Sequence, residues 1–285
     1  MTLREALTRA TSQLDQNPAL RAYAMRDAAL LLRHALGISH AALLANPERT
    51  ISLDEQATYQ RLILRRLTNE PIQYITGEQE FYGIALQVTP AVLIPRPETE
   101  LLVEAVLGEM PREGGLRILD VGTGSGAIAI ALAQHLPSAR ITAVDCSRAA
   151  LEVATANAAR HGLGGRIRFV EADLLDGLEG LAAAEKFDAV VSNPPYVPAG
   201  ERETLHPQVK DYEPARALFA GVDGLDVYRR LIPQAWDALK PEGLLALELG
   251  HGQRDALAAL LVGWNAVRFV NDLQLIPRVA IARKP

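Results

Sequence analysis

A short polar corner has residue types that suit the capture of an amine or amide nitrogen. It reads Asn193-Pro194-Pro195-Tyr196 and follows an apolar, β-branched run. Proline lacks an N–H and fixes its own φ, so a strand must end at Asn193, and the residues around both prolines have little freedom. The Asn193 side-chain oxygen and the Pro194 carbonyl could accept the two hydrogens of a planar NH₂ group, with Tyr196 packing on its face. A proline-terminated turn without chemistry is the alternative interpretation.

A glycine-rich loop lies between a predicted strand and a predicted helix. This glycine loop consists of Gly122, Thr123, Gly124, Ser125 and Gly126. Glycines let a backbone approach a ligand closely, and the helix N-terminus presents free N–H groups. Asp145 comes 19 residues after Gly126, at the end of the next predicted strand, where it could accept hydrogen bonds from ribose hydroxyls. With Ala127, however, the loop also fits the dinucleotide fingerprint, so a nicotinamide-dependent oxidoreductase stays open.

The next two strand ends distinguish between these alternatives. Asp173 could bind the exocyclic amine of an adenine, and Leu174 beside it could cover the ring. The polar corner at residues 193–196 then supplies a substrate site at the adjoining strand. A hydride-transfer enzyme has no evident use for such a corner.

The elements that must position these residues alternate between strand and helix. Strands are predicted at residues 117–121, 140–144, 167–171, 187–192 and 244–249, with an antiparallel pair at 267–270 and 278–282. Helical patterns separate the first strands. This alternation predicts an α/β fold with a doubly wound, mostly parallel sheet that ends in an antiparallel pair.

The first 72 residues read as a small helical bundle. Ser52 and Glu55 form a capping box for one helix, and Gly37 stands where another helix should end. Residues 73–95 change period, and the alternation over 73–77 and 81–88 predicts a β-hairpin linker. The expected domains are therefore a bundle at 1–72, a linker at 73–95 and an α/β domain at 96–285.

Composition limits the class of protein. The net charge is −5, with a balance of +2 in residues 1–75 and −7 in the rest, which argues against direct nucleic-acid binding over a large surface. The lone Cys146 excludes a disulfide framework and a cysteine metal cluster, and we interpret it as a small buried residue; no metal is expected. No apolar run approaches the roughly 20 residues of a membrane span, and no signal segment is seen, so we expect no membrane association and a cytoplasmic location.

The combined motifs resemble those of known methyltransferases. The glycine loop, Asp145, Asp173 and the polar corner are similar to successive motifs of class I S-adenosylmethionine-dependent methyltransferases that modify planar nitrogen. Residues 73–77, residues 93–100 and Tyr212-Glu213-Pro214 extend the resemblance, nearly end to end, to the peptide chain release factor glutamine methyltransferases. One departure is the absence of a glycine between Asp272 and Arg278, before the last strand.

The resemblance implies a function and a set of site residues. It implies a Rossmann-like, seven-stranded sheet and methylation, by S-adenosylmethionine, of the glutamine amide in the Gly-Gly-Gln motif of bacterial class 1 release factors, which the helical bundle helps to bind. The implied cofactor-binding residues are Gly122, Thr123, Gly124, Ser125, Gly126, Asp145, Asp173, Leu174 and Asn193. The implied substrate-binding residues are Asn193, Pro194, Pro195 and Tyr196, of which Asn193, Pro194 and Tyr196 are also the expected catalytic residues. A nucleic-acid exocyclic-amine methyltransferase and a methyltransferase-like binding protein stay as alternatives.

Overall fold

The computed structural model describes residues 1–111, 113–178 and 186–285. The helices are α1 (Leu3–Asp15), α2 (Ala24–Leu36), α3 (His40–Ala45), α4 (Leu53–Leu67), α5 (Ile72–Thr76), α6 (Pro97–Glu109), α7 (Ala127–His135), α8 (Arg148–Arg160), α9 (Pro207–Lys210), α10 (Asp226–Ala238) and α11 (Arg254–Leu260). The strands are β1 (Glu78–Phe81), β2 (Ile84–Gln87), β3 (Arg117–Val121), β4 (Arg140–Asp145), β5 (Ile167–Glu171), β6 (Phe187–Ser192), β7 (Leu239–Glu248), β8 (Asn265–Asn271) and β9 (Pro277–Arg283). Short 3₁₀ turns lie at Arg21–Tyr23, Ala199–Thr204 and Ala215–Ala217.

The chain forms two compact units. The helical unit comprises residues 1–78 and 204–212, and the sheet unit comprises residues 79–203 and 213–285. Among the described residues, no helix combines the length and the hydropathy needed to cross a membrane.

Helices of the helical unit begin and end at the signals seen in the sequence. The predicted capping box is present at the start of α4, where the Glu55 N–H donates to the Ser52 hydroxyl and the Glu55 carboxylate accepts from the Ser52 N–H. A second capping box, between Thr2 and Glu5, starts α1. Helix α2 ends at Gly37, whose φ of 62° favours glycine.

The segment 204–212 is bound into the helical unit by polar contacts, one of them to a buried arginine. Arg66 is almost fully buried; its Nε donates to the Asp27 carboxylate at 2.8 Å and its Nη2 donates to Gln208 Oε1 at 3.3 Å. The Tyr212 hydroxyl donates to the Thr68 carbonyl at 2.8 Å. The bonds from Arg66 to Gln208 and from Tyr212 to Thr68 therefore join this late segment to the N-terminal helices.

The prediction of a strand at residues 73–77 is wrong. Residues Ile72–Thr76 form the short helix α5, which ends at Gly77 with a φ of 80°. Ile72 and Ile75 are three residues apart, and both are buried in the core of the helical unit, so helical spacing governs this segment. The β-hairpin lies just beyond it, in β1 and β2. Its turn residues, Tyr82 and Gly83, both have positive φ, as a tight two-residue hairpin requires.

The sheet has the predicted doubly wound form. Its strand order is β5-β4-β3-β6-β7-β9-β8, with parallel pairing up to β7 and antiparallel pairing of β9 with β7 and β8. Side chains alternate between two cores: Val191 of β6 packs in the core that contains α6 and α7, and Val190 packs in the core that contains α10 and α11. Because β4 and β6 flank β3 on opposite sides, the order reverses there, and a crevice forms at the carboxyl ends of these strands.

A turn without glycine joins β8 to β9. Leu275 adopts the left-handed conformation, with a φ of 63°, and its side chain is exposed. The Asp272 carboxylate accepts backbone N–H bonds from Gln274 at 2.8 Å and Ile276 at 3.0 Å, and also binds Arg278 at 3.0 Å. These bonds to Asp272 hold the turn in the conformation that a glycine would adopt more easily.

Candidate active site

The glycine loop turns tightly between β3 and α7. The N–H groups of Gly122 and Thr123 both donate to the Val144 carbonyl at 2.9 Å, which binds the loop to the end of β4. Gly122 and Gly124 have φ values of 74° and 55°, in the region that favours glycine. Gly126, with a φ of 84°, has a different role, because a Cβ there would lie 3.2 Å from the Ala154 Cβ of α8. Its lack of a side chain lets α7 and α8 pack closely.

Asp145, the last residue of β4, lies against the glycine loop. Its Oδ2 accepts the Gly124 N–H and its Oδ1 accepts the Ser147 N–H, both at 2.9 Å. Burial raises the pKa of this carboxyl, and the backbone N–H bonds from Gly124 and Ser147 oppose the rise. Each oxygen retains a lone pair that can accept a further hydrogen bond from a ligand hydroxyl.

Asp120 supports the loop from below, a role that the sequence analysis missed. It is fully buried in β3, and its Oδ2 accepts the Thr123 hydroxyl at 2.6 Å. Burial raises its pKa to about 7, while the bond from Thr123 favours the charged form. An acidic residue two positions before Gly122 is the feature of the sequence that could have indicated this role.

Asp173 and Leu174 follow β5 at the same edge of the sheet. The Asp173 carboxylate pairs with Arg230 at 2.7 Å, and its side chain is 60% exposed. Leu174 has a φ of 56° and packs partly buried against the core under α10. An accessible carboxylate thus lies next to an apolar side chain.

The polar corner begins where β6 ends, as predicted. The Ser192 hydroxyl donates to the Val121 carbonyl at 2.7 Å, which joins β6 to β3 just before the corner. The Asn193 Nδ2 donates to the Thr99 hydroxyl at 3.0 Å. Thr99 lies in the first turn of α6 and is buried. Since the Asn193 nitrogen is engaged there, its Oδ1 is the atom left to accept a hydrogen bond in the cleft.

A buried carboxyl, that of Glu248 at the end of β7, lies beside the polar corner. The Tyr196 hydroxyl donates to its Oε1 at 3.2 Å. Burial raises the pKa of Glu248 to about 7, and the nearby hydroxyls of Thr99 and Tyr196 favour its charged form. Its Oε2 has no hydrogen-bond partner among the described residues. Tyr196, in turn, is partly buried, and this burial together with the neighbouring carboxyl raises its pKa.

The backbone of the corner is also held on its far side. The Gln253 Nε2 donates to the Tyr196 carbonyl at 3.0 Å, and the Gln253 Oε1 accepts the Gly250 N–H at 3.0 Å. A Cβ on Gly224 would lie 2.2 Å from the Tyr196 carbonyl oxygen, so only glycine permits this approach. The corner is therefore rigid beyond what its prolines alone impose.

Two motifs that are far apart in sequence meet at an ion pair. Arg96 precedes α6, and its Nη2 donates to the Glu213 carboxylate at 2.6 Å; the Ile94 N–H donates to the same carboxylate at 3.2 Å. Burial raises the pKa of Glu213, and the Arg96 charge opposes this. The segment before α6 is thereby fastened to residues that follow the polar corner.

One cleft collects most of the predicted site residues. Those that line it are Gly122, Thr123, Gly124, Ser125, Asp145, Asp173, Leu174, Asn193 and Pro195. Of the described residues predicted for the site, Gly126, Pro194 and Tyr196 are not part of this lining.

The lining also contains residues that sequence reasoning did not assign to the site. These include Arg96, Thr99, Cys146, Arg216 and Arg230. The prediction that Cys146 is buried is wrong: it is exposed, because it follows the last residue of β4 at the open edge of the sheet. Within the described parts of the chain, no group of His, Cys, Asp and Glu is arranged to hold a metal ion.

The chain matches two family models. One is described as the PrmC N-terminal domain and matches residues 5–77, and the other is the methyltransferase small domain, matching residues 97–208.

Solved structures of other methyltransferases share the fold. A T. thermophilus 16S rRNA methyltransferase, described in complex with AdoMet and guanosine, aligns with a TM-score of 0.55 and 21% identity over 73% of this chain and 50% of that one. A methyltransferase from Pyrococcus furiosus aligns with a TM-score of 0.51 and 19% identity over 80% of this chain and 98% of that one. At these identities the likeness shows the fold alone.

Curated relatives are similar over almost their whole length. The release factor glutamine methyltransferase of Koribacter versatilis is 47% identical over 100% of this chain and 99% of that protein. Those of Moorella thermoacetica and Deinococcus radiodurans are each 43% identical, covering 98% and 93% of this chain and 95% and 93% of their own. They do not favour the oxidoreductase and nucleic-acid alternatives. With such identity over the full length, the chain belongs to the release factor glutamine methyltransferase family.

Proposed function

We propose that this protein methylates the side-chain amide nitrogen of the glutamine in the Gly-Gly-Gln motif of bacterial class 1 release factors, in the cytoplasm, and so supports translation termination. The observation that carries the proposal is the orientation of Asn193. Its nitrogen is bound to Thr99 at 3.0 Å, so its oxygen is available to a donor in the cleft. An amide NH₂ is such a donor.

The cleft residues fit S-adenosylmethionine as the methyl donor. Asp145 keeps acceptor capacity on both oxygens for the ribose hydroxyls, and the positive φ of Gly122 and Gly124 allows close approach of a ligand to the backbone. Asp173 and Leu174 offer a carboxylate and an apolar contact for an adenine. When bound, this donor supplies an electrophilic methyl group on a sulfonium.

The polar corner has the acceptors that an amide nucleophile needs. The nitrogen lone pair of an amide is delocalised into its carbonyl, so the nitrogen reacts poorly without help. In our proposal Asn193 Oδ1 and the Pro194 carbonyl accept its two hydrogens, which favours a pyramidal nitrogen and stabilises the positive charge that develops on it. Such electrostatic stabilisation can contribute about 3 kcal/mol per well-placed group. Tyr196 and Pro195 pack beside the amide and restrict its position.

The reaction balances without a metal or an oxidant. The sulfur–methyl bond breaks, the nitrogen–methyl bond forms, and the amide nitrogen loses one proton. The products are N-methylglutamine, S-adenosylhomocysteine and a proton, which leaves to water. In this scheme the protein contributes position and charge stabilisation more than acid–base catalysis.

The helical unit has a separate role in the proposal. Domain 1–72 would bind the body of the release factor, the linker 73–95 would connect it, and domain 96–285 would carry out methyl transfer. The slight basic excess of residues 1–75 is compatible with this role. In the structure the corresponding compact unit runs to residue 78 and includes 204–212, so this binding role extends to a segment that follows the polar corner.

Mass spectrometry of a release factor tests the proposal directly. We expect the peptide that contains Gly-Gly-Gln to gain 14 Da, the mass of one CH₂, after incubation with the protein and S-adenosylmethionine. Fragmentation should place the added mass on the glutamine side chain. A release factor with alanine at that glutamine is the matched substrate control.

Parallel reactions with tRNA, rRNA and duplex DNA separate the substrate classes. Methyl transfer to nucleic acid with none to release factor would contradict the proposal. A preparation that binds the donor but modifies no release factor would contradict it as well.

A further inference from the structure

We infer that Thr99 and Glu248 are positioning residues that orient the Asn193 side chain so that the site accepts an amide and rejects a carboxylate. The inference rests on the proposed function, because it concerns the group that Asn193 binds. It assigns a specificity-determining role to two residues outside the polar corner.

The first step concerns the two orientations of the Asn193 amide. A rotation of 180° exchanges its oxygen and nitrogen, and the two orientations differ only in their partners. In the observed orientation Nδ2 donates to the Thr99 hydroxyl at 3.0 Å. A hydroxyl can donate or accept, so Thr99 alone does not determine which orientation is favoured.

The second step is the buried carboxyl behind Thr99. Glu248 is 1% exposed, and the Thr99 hydroxyl lies near enough to favour its charged form. An ionised carboxylate only accepts hydrogen bonds, and Oε2 of Glu248 has no hydrogen-bond partner in the described chain. In our inference the Thr99 proton points towards the ionised form of Glu248, which is populated at and above its pKa of about 7, and Thr99 then accepts from Asn193. This polarity keeps Oδ1 of Asn193 towards the cleft.

The third step is the consequence for substrates. An oxygen facing the cleft attracts an NH₂ group and repels a carboxylate of the same shape, such as a glutamate side chain. Sites built around such a hydrogen bond discriminate strongly, because the wrong ligand leaves buried polar groups unpaired. Tyr196 donates to the same carboxyl at 3.2 Å, so Glu248 orders two side chains of the corner at once.

Two matched substitutions at Thr99 test the inference. Thr99→Val keeps the shape but removes the acceptor for Asn193, whereas Thr99→Ser keeps the hydroxyl. The readout is the ratio of the dissociation constants for release factor and for a release factor whose motif glutamine is glutamate, both measured with S-adenosylhomocysteine present. We expect Thr99→Val to reduce the preference for the glutamine form over the glutamate form by roughly 10-fold, the effect of one lost hydrogen bond. The value of kcat should fall by a similar factor. Thr99→Ser should retain most of the discrimination.

A second pair, at Glu248, gives an independent measurement. Glu248→Leu removes the acceptor, so Thr99 is free to donate to Asn193 and turn its nitrogen into the cleft. Glu248→Gln can still present an oxygen to Thr99 and Tyr196. We therefore expect the leucine variant to lose discrimination as Thr99→Val does, and the glutamine variant to recover most of it.

The outcomes separate this inference from the proposed function. Circular dichroism and the affinity for S-adenosylhomocysteine show whether each variant is folded. If folded Thr99→Val and Glu248→Leu keep the wild-type ratio, or if the conservative variants lose as much as their partners, the inference is overturned. Absence of methylated release factor with the wild-type protein would instead contradict the proposed function.

Discussion

The donor side and the substrate side of the cleft are built in different ways. The glycine loop at residues 122–126 is shaped by backbone φ values and by bonds to the end of the adjacent strand β4. The polar corner at residues 193–196 depends on side chains remote in sequence: Asn193 binds Thr99, 94 residues away, and Tyr196 binds Glu248, 52 residues away. Local geometry therefore forms the donor side, whereas long-range packing orients the substrate side.

Removing the Asn193 side chain should give the largest effect. Asn193→Ala deletes the acceptor proposed for the amide, and loss of one such group typically lowers turnover by roughly 10²-fold. The donor affinity should stay close to wild type, because the glycine loop and Asp145 are unchanged. Single-turnover kinetics and a donor titration measure the two effects. Near-normal turnover would remove Asn193 from its proposed role.

A substitution at Asp145 should instead weaken the binding of the methyl donor. Asp145→Ala removes the proposed ribose acceptors and two bonds to the glycine loop, and we expect donor affinity to fall by about 30-fold, equivalent to about 2 kcal/mol. Calorimetric titration with the donor checks this. Asp173→Ala is the matched control, since that carboxylate is 60% exposed and its loss should matter less. An equal loss of donor affinity in the two variants would contradict the larger role that we assign to Asp145.

The Arg96–Glu213 pair tests whether contacts remote in sequence also stabilise the fold. Glu213→Gln replaces one of the two oxygens that accept from Arg96 and Ile94 by an NH₂ group that faces a donor, and we expect about 2 kcal/mol lower free energy of unfolding, less than for a fully buried pair. Arg96 keeps 29% side-chain exposure, which moderates the effect. Urea denaturation measures the change. Glu48→Gln, which breaks the exposed pair with Arg4, should cost less than about 1 kcal/mol.

Asp120 predicts a pH dependence of stability on the donor side. Its pKa is about 7 in the folded protein and about 3.9 when unfolded, so the folded state holds its proton more tightly. The contribution of Asp120 to the free energy of unfolding is therefore largest at low pH and decreases as the pH rises from about 4 to 7. Relative to Asp120→Asn, the wild type should lose about 1.4 kcal/mol between pH 6 and pH 8. Denaturation measured at both pH values checks this. The same change in the free energy of unfolding for the wild type and the variant would refute it.

The smallest effect lies outside both regions, at the turn between β8 and β9. Leu275→Gly relieves a left-handed leucine, at an entropic cost, so we expect a net gain of about 0.5 kcal/mol. Thermal unfolding measures it. Methyl transfer should not change, and a loss of stability would show that the exposed leucine side chain contributes to the fold.

Much of the architecture could be predicted from local pattern. Alternating strands and helices predicted the doubly wound sheet, and the prolines after Ser192 predicted the end of β6. The strand predicted at residues 73–77 failed because Ile72 and Ile75 pack at helical spacing into a core that the sequence does not display. The prediction that Cys146 is buried failed for a related reason, because the exposure of a residue at a strand end depends on which other elements cover that edge of the sheet.

By itself, the sequence determined the glycine loop, the acids at the strand ends and the stiff corner at residues 193–196, because φ preferences, strand period and proline chemistry act within a few residues. Only the tertiary structure decided that Thr99 and Glu248 stand behind Asn193, that Glu213 binds Arg96, and that segment 204–212 joins the N-terminal helices. The physical reason is that the orientation of a buried amide depends on the partners that packing brings to it, and those partners are distant along the chain.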